Sequence, residues 1–320
     1  MPPECGPDVM LRTRVAVLLG AELLVMAALL GVVLDQYAHQ RVQSLAGVNS
    51  WGYRGAVMPG RVPNEIRIAL VGGDRAFGWG VAPDETTSAY LRLWTQVGLP
   101  ATPARTVTAV NLGALGLPAR DYAGRIEQFR YLAPDILCLY IDLIDHRAAA
   151  VLPPSDSAVT ALTGYVPMLP LALEEKGNVQ TVRGRWIVGG AVSAAGRTLR
   201  AADRTAGRIW LDAPTTANAD RSAALARALD AALTSAAAVV AVLPMPFTPG
   251  EAAAHCEALE LVRRRAASEP RMRIVDLGQE SRLADPALRL DAVNFGAGGH
   301  SLAGAAIAPT VLELVASVLK

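Results

Sequence analysis

Residues Ile66 to Val81, reading I-R-I-A-L-V-G-G-D-R-A-F-G-W-G-V, hold an apolar run that halts at two glycines, an aspartate and an arginine before resuming at Phe77. Ile66, Ile68, Ala69, Leu70 and Val71 have the pattern of a buried strand. Gly72-Gly73 permits a tight turn that presents the next side chains at the strand's carboxyl end. Open α/β sheets bind their ligands along that edge, so Asp74 and Arg75 are the first residues to weigh for function.

Four further strand patterns follow, separated by helical ones. Arg105–Asn111 is β-branched and alternating, Asp135–Ile141 and Ala238–Leu243 are continuously apolar, and Arg273–Leu277 is short. Helices are expected over about 84–97 with Asp84 as N-cap, 120–132 stopped by Pro134, 217–236, 248–267 and 301–318, the last carrying Pro309. Thr248-Pro249-Gly250-Glu251 reads as a capping box with proline at the first helical position. Five strands alternating with helices predict a three-layer, doubly wound, mostly parallel α/β sheet of flavodoxin-like type.

Two segments stand outside this rhythm. Residues 147–215 are too long for a plain loop and are expected to form an insertion, read as a cap over the sheet edge, with a hairpin in V-R-G-R-W-I-V-G-G. Its stretch Val166–Leu173 is too short and too rich in proline for a membrane span. Val15–Leu34 is about one membrane thickness of apolar sequence containing one charge, Glu22, and it follows Arg12 and Arg14. A cleaved signal peptide is the competing reading; an anchor is favoured because the run is long for a signal-peptide core and no convincing small-x-small cleavage site precedes Asp35. The expected organisation is a cytoplasmic amino terminus (1–14), a single transmembrane helix (15–34), a linker (35–65) containing His39, and an extracytoplasmic domain (66–320). An ionised Glu22 mid-span costs about 2.5–3.5 kcal/mol. It is therefore either protonated, or snorkelled to an end, or bonded to a membrane-protein partner.

The charge balance, 30 basic against 29 acidic residues, carries no polyanion-binding signature and argues against nucleic acid. Cys5, Cys138 and Cys256 are odd in number and widely spaced, which excludes a disulfide framework and a C-x-x-C motif; Cys138 lies in an apolar run and reads as core. No cofactor motif is present. Asp145, His146 and Asp291 could meet at the sheet edge, but no histidine pairs with another at i+3 or i+4, so no metal is expected.

The motifs together resemble the SGNH (GDSL-type) hydrolases, across most of residues 66–320 outside the insertion. In that family a strand leads into G-D-S and a phrase like F-G-x-G-V, and the serine is the nucleophile; here its position holds Arg75. Asn111-Leu112-Gly113 with Gly116 is similar to the second block, whose glycine amide helps form the oxyanion hole. Pro134-Asp135, the following strand and Asp142-Leu143-Ile144-Asp145 resemble the third, usually P-D and later G-x-N-D. Asp291-Ala292-Val293-Asn294 and then Gly299-His300 resemble the last, usually D-x-x-H and G-H.

Carried onto these positions, the resemblance implies that the nucleophile is Arg75, the imidazole Asn294 and the oxyanion-hole asparagine Ile144. An arginine cannot attack a carbonyl, an asparagine cannot take a proton near neutral pH, and an isoleucine donates no hydrogen bond. Only Asp291 and the Gly113 amide remain of the machinery. Loss of a nucleophile or its base costs about four to six orders of magnitude in rate.

Arg75 has two readings. It fills the vacated site by pairing with Asp74, Asp145 or Asp291, or it binds an anion at the mouth of the helix. Ligand-binding candidates are Asp74, Arg75, Gly113, Asp145, His146, Asp291, Asn294 and His300. The expected function is a membrane-anchored, non-catalytic SGNH-like domain, an accessory or glycan- or anion-binding subunit of an envelope polysaccharide modification or export system. The alternatives are an active esterase or acyltransferase using His146 or His300 with Asp291, and a structural subunit assembling through Glu22. His255, on a helix beside Cys256, reads as solvated or packing.

Overall fold

The computed structural model describes residues 7–49, 51–101, 104–114, 117–142, 179–182, 185–188, 218–291 and 293–318. The strands are β1 (Glu65–Val71), β2 (Thr106–Asn111), β3 (Ile136–Tyr140), β4 (Val179–Val182), β5 (Arg185–Val188), β6 (Ala238–Leu243) and β7 (Met272–Asp276). The α-helices are α1 (Pro7–Ala46), α2 (Asp74–Phe77), α3 (Thr87–Gly98), α4 (Tyr122–Gln128), α5 (Asn218–Ser235), α6 (Pro249–Ser268) and α7 (Ala297–Val318).

Five strands form one wholly parallel sheet in the order β2-β1-β3-β6-β7. Side chains alternate between its faces, which sorts the core into two layers. Ala69, Val71, Leu137, Leu139, Val239 and Ala241 face α4, α5 and α6. Ile68, Leu70, Cys138, Tyr140, Val240 and Val242 face α3 and α7. Every residue of β1, β3 and β6 is buried; β3 and β6 read as continuous apolar runs for that reason, while β1 also buries the paired Glu65 and Arg67. Burial pushes the Cys138 thiol up to about 12, so it is an inert core group. The expected three-layer α/β sheet and all five strands are present.

Local boundaries differ where tertiary contacts override pattern. The cap of α3 is Thr86, whose Oγ1 accepts from the Ala89 amide, whereas Asp84 lies in a preceding 3-10 turn. The single helix expected over 120–132 is two 3-10 turns flanking the short α4. The last helix opens at Ala297, so His300 lies in its first turn. The Thr248–Glu251 capping box opens α6 as expected.

The segment expected to be a linker over 35–65 is divided differently. Helix α1 continues to Ala46, and the next residues join the domain. Val48 bridges Arg54, Arg54 bridges Asn111 at the end of β2, and Val48, Asn49, Tyr53 and Arg54 are buried. Residues 12–38 of α1 are long and apolar enough to cross a membrane, and the most apolar stretch of that span is exposed along its length, while Asp35 near its end is buried.

The chain leaves β3 at Asp142, and α5 re-enters the described structure at Asn218. Of the insertion, the backbone of an antiparallel hairpin is described, with Val179 opposite Val188. Ile144, Asp145, His146 and the stretch Val166–Leu173 lie outside the described residues.

Candidate functional site

The β1 strand ends in a turn that only glycine fits. A side chain on Gly73 would run into the Asp142 carboxylate and lie 3.1 Å from the Leu117 carbonyl, and one on Gly72 would lie 2.5 Å from the Tyr140 carbonyl. The single turn of α2 follows at once, with the Phe77 amide donating to the Gly73 carbonyl at 2.9 Å. Gly78, at φ +81°, closes it in the left-handed region. This elbow places Asp74 at the head of the turn and aims Arg75 inward.

Arg75 is 5 % exposed and all three of its guanidinium nitrogens are engaged. Nε donates to the Val293 carbonyl at 3.0 Å, Nη1 to the Met245 carbonyl at 3.1 Å and Nη2 to Glu251 Oε1 at 2.5 Å. The guanidinium also stacks 5.0 Å from the centre of the Phe247 ring. Its carboxylate is thus Glu251, in place of the expected Asp74 or Asp291; the third expected partner, Asp145, is not among the described residues. Glu251 is 1 % exposed, and its other oxygen accepts from the Phe247 amide at 2.7 Å and the Thr248 amide at 3.3 Å. One carboxylate therefore both caps α6 and neutralises the elbow arginine.

The last block folds on itself. Asp291 Oδ1 accepts from the Val293 and Asn294 amides at 2.9 and 2.8 Å, and Oδ2 accepts from Asn294 Nδ2 at 2.9 Å. The Asn294 side chain thus occupies Asp291 Oδ2. The Gly113 amide, the expected oxyanion donor, is also taken: it donates to Asn111 Oδ1 at 2.9 Å, while Asn111 Nδ2 donates to the Phe77 carbonyl at 3.1 Å. Gly113 packs against the α2 backbone, 2.7 Å from the Ala76 carbonyl carbon by the position its Cβ would take.

His300 is 1 % exposed. Its Nδ1 is 2.7 Å from Thr87 Oγ1, its ring meets Phe295 edge-on at 5.9 Å, and Nε2 is buried without a hydrogen-bond partner. Burial, with a smaller contribution from the Arg54 charge, lowers its pKa to about 4. It is a neutral, enclosed ring at physiological pH. Tyr140, the last residue of β3, is fully buried with an unpartnered hydroxyl, and burial raises its pKa.

Three features of this edge lay beyond sequence reasoning. Glu251 was legible as a cap but not as a counter-ion. Phe247 lies between two cations, with Arg289 stacked 4.8 Å from its centre. His255, on the turn of α6 after Glu251, is buried rather than solvated: Nδ1 meets the Pro244 carbonyl at 3.1 Å and Nε2 meets Asp276 Oδ1 at 3.0 Å. Among the described residues, no group of three or more histidine, cysteine, aspartate or glutamate side chains is placed to hold a metal ion.

Among the described residues, Arg75, Asp291, Asn294 and the Gly113 amide are each engaged in hydrogen bonds. The arginine, the aspartate, the asparagine and the glycine amide satisfy one another or nearby carbonyls.

No family model matches this chain, and no curated protein matches it. Solved structures similar to it include a lipolytic protein of the G-D-S-L family from Desulfitobacterium hafniense, at 13% identity and a TM-score of 0.43, covering 76% of this chain and 98% of that one. An acetylxylan esterase from Geobacillus stearothermophilus is 14% identical with a TM-score of 0.43, over 78% of this chain and 94% of its own. A family 3 carbohydrate esterase from Clostridium thermocellum is 14% identical with a TM-score of 0.43, over 79% and 99%. No residue role is carried over from any of them.

Proposed function

We propose that this chain is a membrane-tethered SGNH-like domain that works without hydrolysis, as an accessory or glycan- or anion-binding subunit in envelope polysaccharide modification or export. The observation that carries this reading is the Arg75–Glu251 pair, 5 % and 2 % exposed at its side chains, standing where the family's serine would be. A permanent cation held by a buried carboxylate supplies neither nucleophile nor base. The Asp291–Asn294 bond and the Asn111–Gly113 bond support the same reading, since they engage the remaining two groups of the family's machinery. Residues 12–38 supply the tether, with the domain on the extracytoplasmic side.

The full chain, purified in detergent, is tested on p-nitrophenyl acetate and on an acetylated glycan, alongside Asp291→Ala and His300→Ala. The expected result is the same background rate for all three. Turnover by the parent chain that either substitution abolishes overturns the reading.

A further inference from the structure

Helix α5 lies between β3 and β6, two neighbouring parallel strands, and it ends just before β6 begins at the amino edge of the sheet. Its 18 residues rise about 27 Å, which spans the sheet and sets its first turn at the carboxyl edge. Along its length it packs on α4, on the 3-10 turn Ala119–Asp121 and on β3 and β6.

The buried stripe of α5 runs through Ala224, Leu225, Ala228, Leu229, Ala232 and Leu233. Arg221 continues that stripe one turn beyond the apolar core. It is 9 % exposed, and its Nε and Nη2 are buried without a hydrogen-bond partner. The other buried arginines among the described residues are served differently. Arg75 bonds through all three nitrogens, Arg67 pairs with Glu65, and Arg54 and Arg125 each donate to two or more carbonyls. Asp142, the acid at the end of β3, lies against Gly73, and Asp121 is exposed, so neither supplies the missing bond.

Two positive features therefore meet at one place. Side chains on a helix lean toward its N-terminus, so the Arg221 guanidinium reaches back over the mouth of α5. The first four amides of a helix have no partner within it, and the aligned peptide dipoles make that end positive. A buried cation beside the positive end of a helix is not relieved by it, because both carry the same sign. One oxyanion satisfies both: a carboxylate or phosphate accepts two parallel N–H bonds from a guanidinium and further bonds from the amides.

We infer that the mouth of α5 is an oxyanion site, in which Arg221 and the amides of the first turn hold a carboxylate or phosphate group of a ligand. It is separate from the Arg75 elbow, whose guanidinium is already neutralised by Glu251. It rests on neither the membrane reading of α1 nor the loss of hydrolysis, and its failure would leave both standing.

The test follows the melting temperature of the full chain in non-ionic detergent, at matched ionic strength, against inorganic phosphate, glucuronate and glucose. Phosphate, glucuronate or both are expected to raise it in a saturable way, and glucose is not; which anion acts tells phosphate from carboxylate as the group held. Arg221→Met should weaken that binding by about tenfold or more. Without anion it should melt no lower than the parent chain, since it removes an unpaired buried charge and keeps the length of the side chain. Arg227→Gln, at an exposed position of the same helix, should bind as the parent does. No rise with either anion overturns the inference, as does a rise that Arg221→Met retains or that Arg227→Gln weakens equally. A lower melting point for Arg221→Met without anion, with no anion effect in the parent chain, would make Arg221 a packing residue.

Discussion

Arg75 Nη2 and Glu251 Oε1 meet at 2.5 Å although 176 residues separate them in sequence. The contact joins the elbow after β1 to the first turn of α6, and both side chains are almost wholly withdrawn from water. A lone buried ion costs several kcal/mol to desolvate, and attraction to its partner together with the remaining hydrogen bonds offsets that cost only while both partners are present. The bonds to Val293 and Met245 on one side, and to Phe247 and Thr248 on the other, supply this support.

Removing one partner should therefore be severe. Glu251→Ala is expected to lower stability by about 3–5 kcal/mol, since it leaves Arg75 buried and also removes the cap of α6. The double variant Arg75→Met, Glu251→Gln should recover much of that loss. Denaturant unfolding of the full chain in detergent, followed by tryptophan fluorescence, measures both; a loss below about 1 kcal/mol for Glu251→Ala would show that the pair does not act as a unit.

His300 predicts a pH dependence with a definite sign. Above pH 6.5 the ring is neutral in folded and unfolded chains and contributes no slope. Between 6.5 and about 4 the unfolded ring takes a proton that the folded one refuses, so stability falls as pH falls. Below about 4 both forms are charged and the decline levels off. The full span corresponds to about 3 kcal/mol. His300→Gln should flatten the melting temperature across this window; an unchanged slope would place the proton uptake elsewhere.

Gly113→Ala tests how tightly the second block packs on the elbow. The new methyl group would meet backbone atoms of Ala76 and Phe77, which cannot swing aside as a side chain can. Overpacking of this kind costs about 1–3 kcal/mol. Hydrogen exchange should accelerate at the Phe77 and Gly78 amides, both of which close α2. Unaltered exchange there would mean that the elbow absorbs the methyl elsewhere.

Arg54→Met removes the donor that three elbow carbonyls, those of Phe77, Gly78 and Val81, share. Burial pushes the Arg54 guanidinium down to about 10, so it remains charged at neutral pH, and it stacks 4.4 Å from the centre of the Phe77 ring. Leaving those carbonyls without a partner is expected to cost about 1–3 kcal/mol. Arg54→Lys should rescue little, because one ammonium cannot reproduce the planar fork. Full rescue by lysine would show that charge, not geometry, holds the loop.

The sheet was legible because β3 and β6 are apolar on both faces, β1 is apolar from Ile68 to Val71, and the three end at glycine, proline or aspartate, a local signature that needs no knowledge of neighbours. The start of α6 was legible for the same reason, since Thr248 and Glu251 cap within one turn. The counter-ion of Arg75 was not, because nothing within a dozen residues of position 75 points to position 251. Residues 47–58 read as linker for a related cause. They have no period, and what holds them is a set of long-range bonds from Arg54 and Arg125 to carbonyls, which every residue type possesses. Asn111 and Gly113 lie two apart, and their side chain-to-amide bond was readable as a local turn.

The double engagement of Glu251 ties two distant positions into one evolutionary unit. Serine at position 75 would leave a buried carboxylate without its cation, and a neutral residue at 251 would strand the arginine and loosen the start of α6. Neither single replacement is silent, so a lineage carrying this pair moves away from it only when both positions change together. Variation at 75 among descendants should therefore track variation at 251, and the pair should behave in heredity as it does in the fold, as one character.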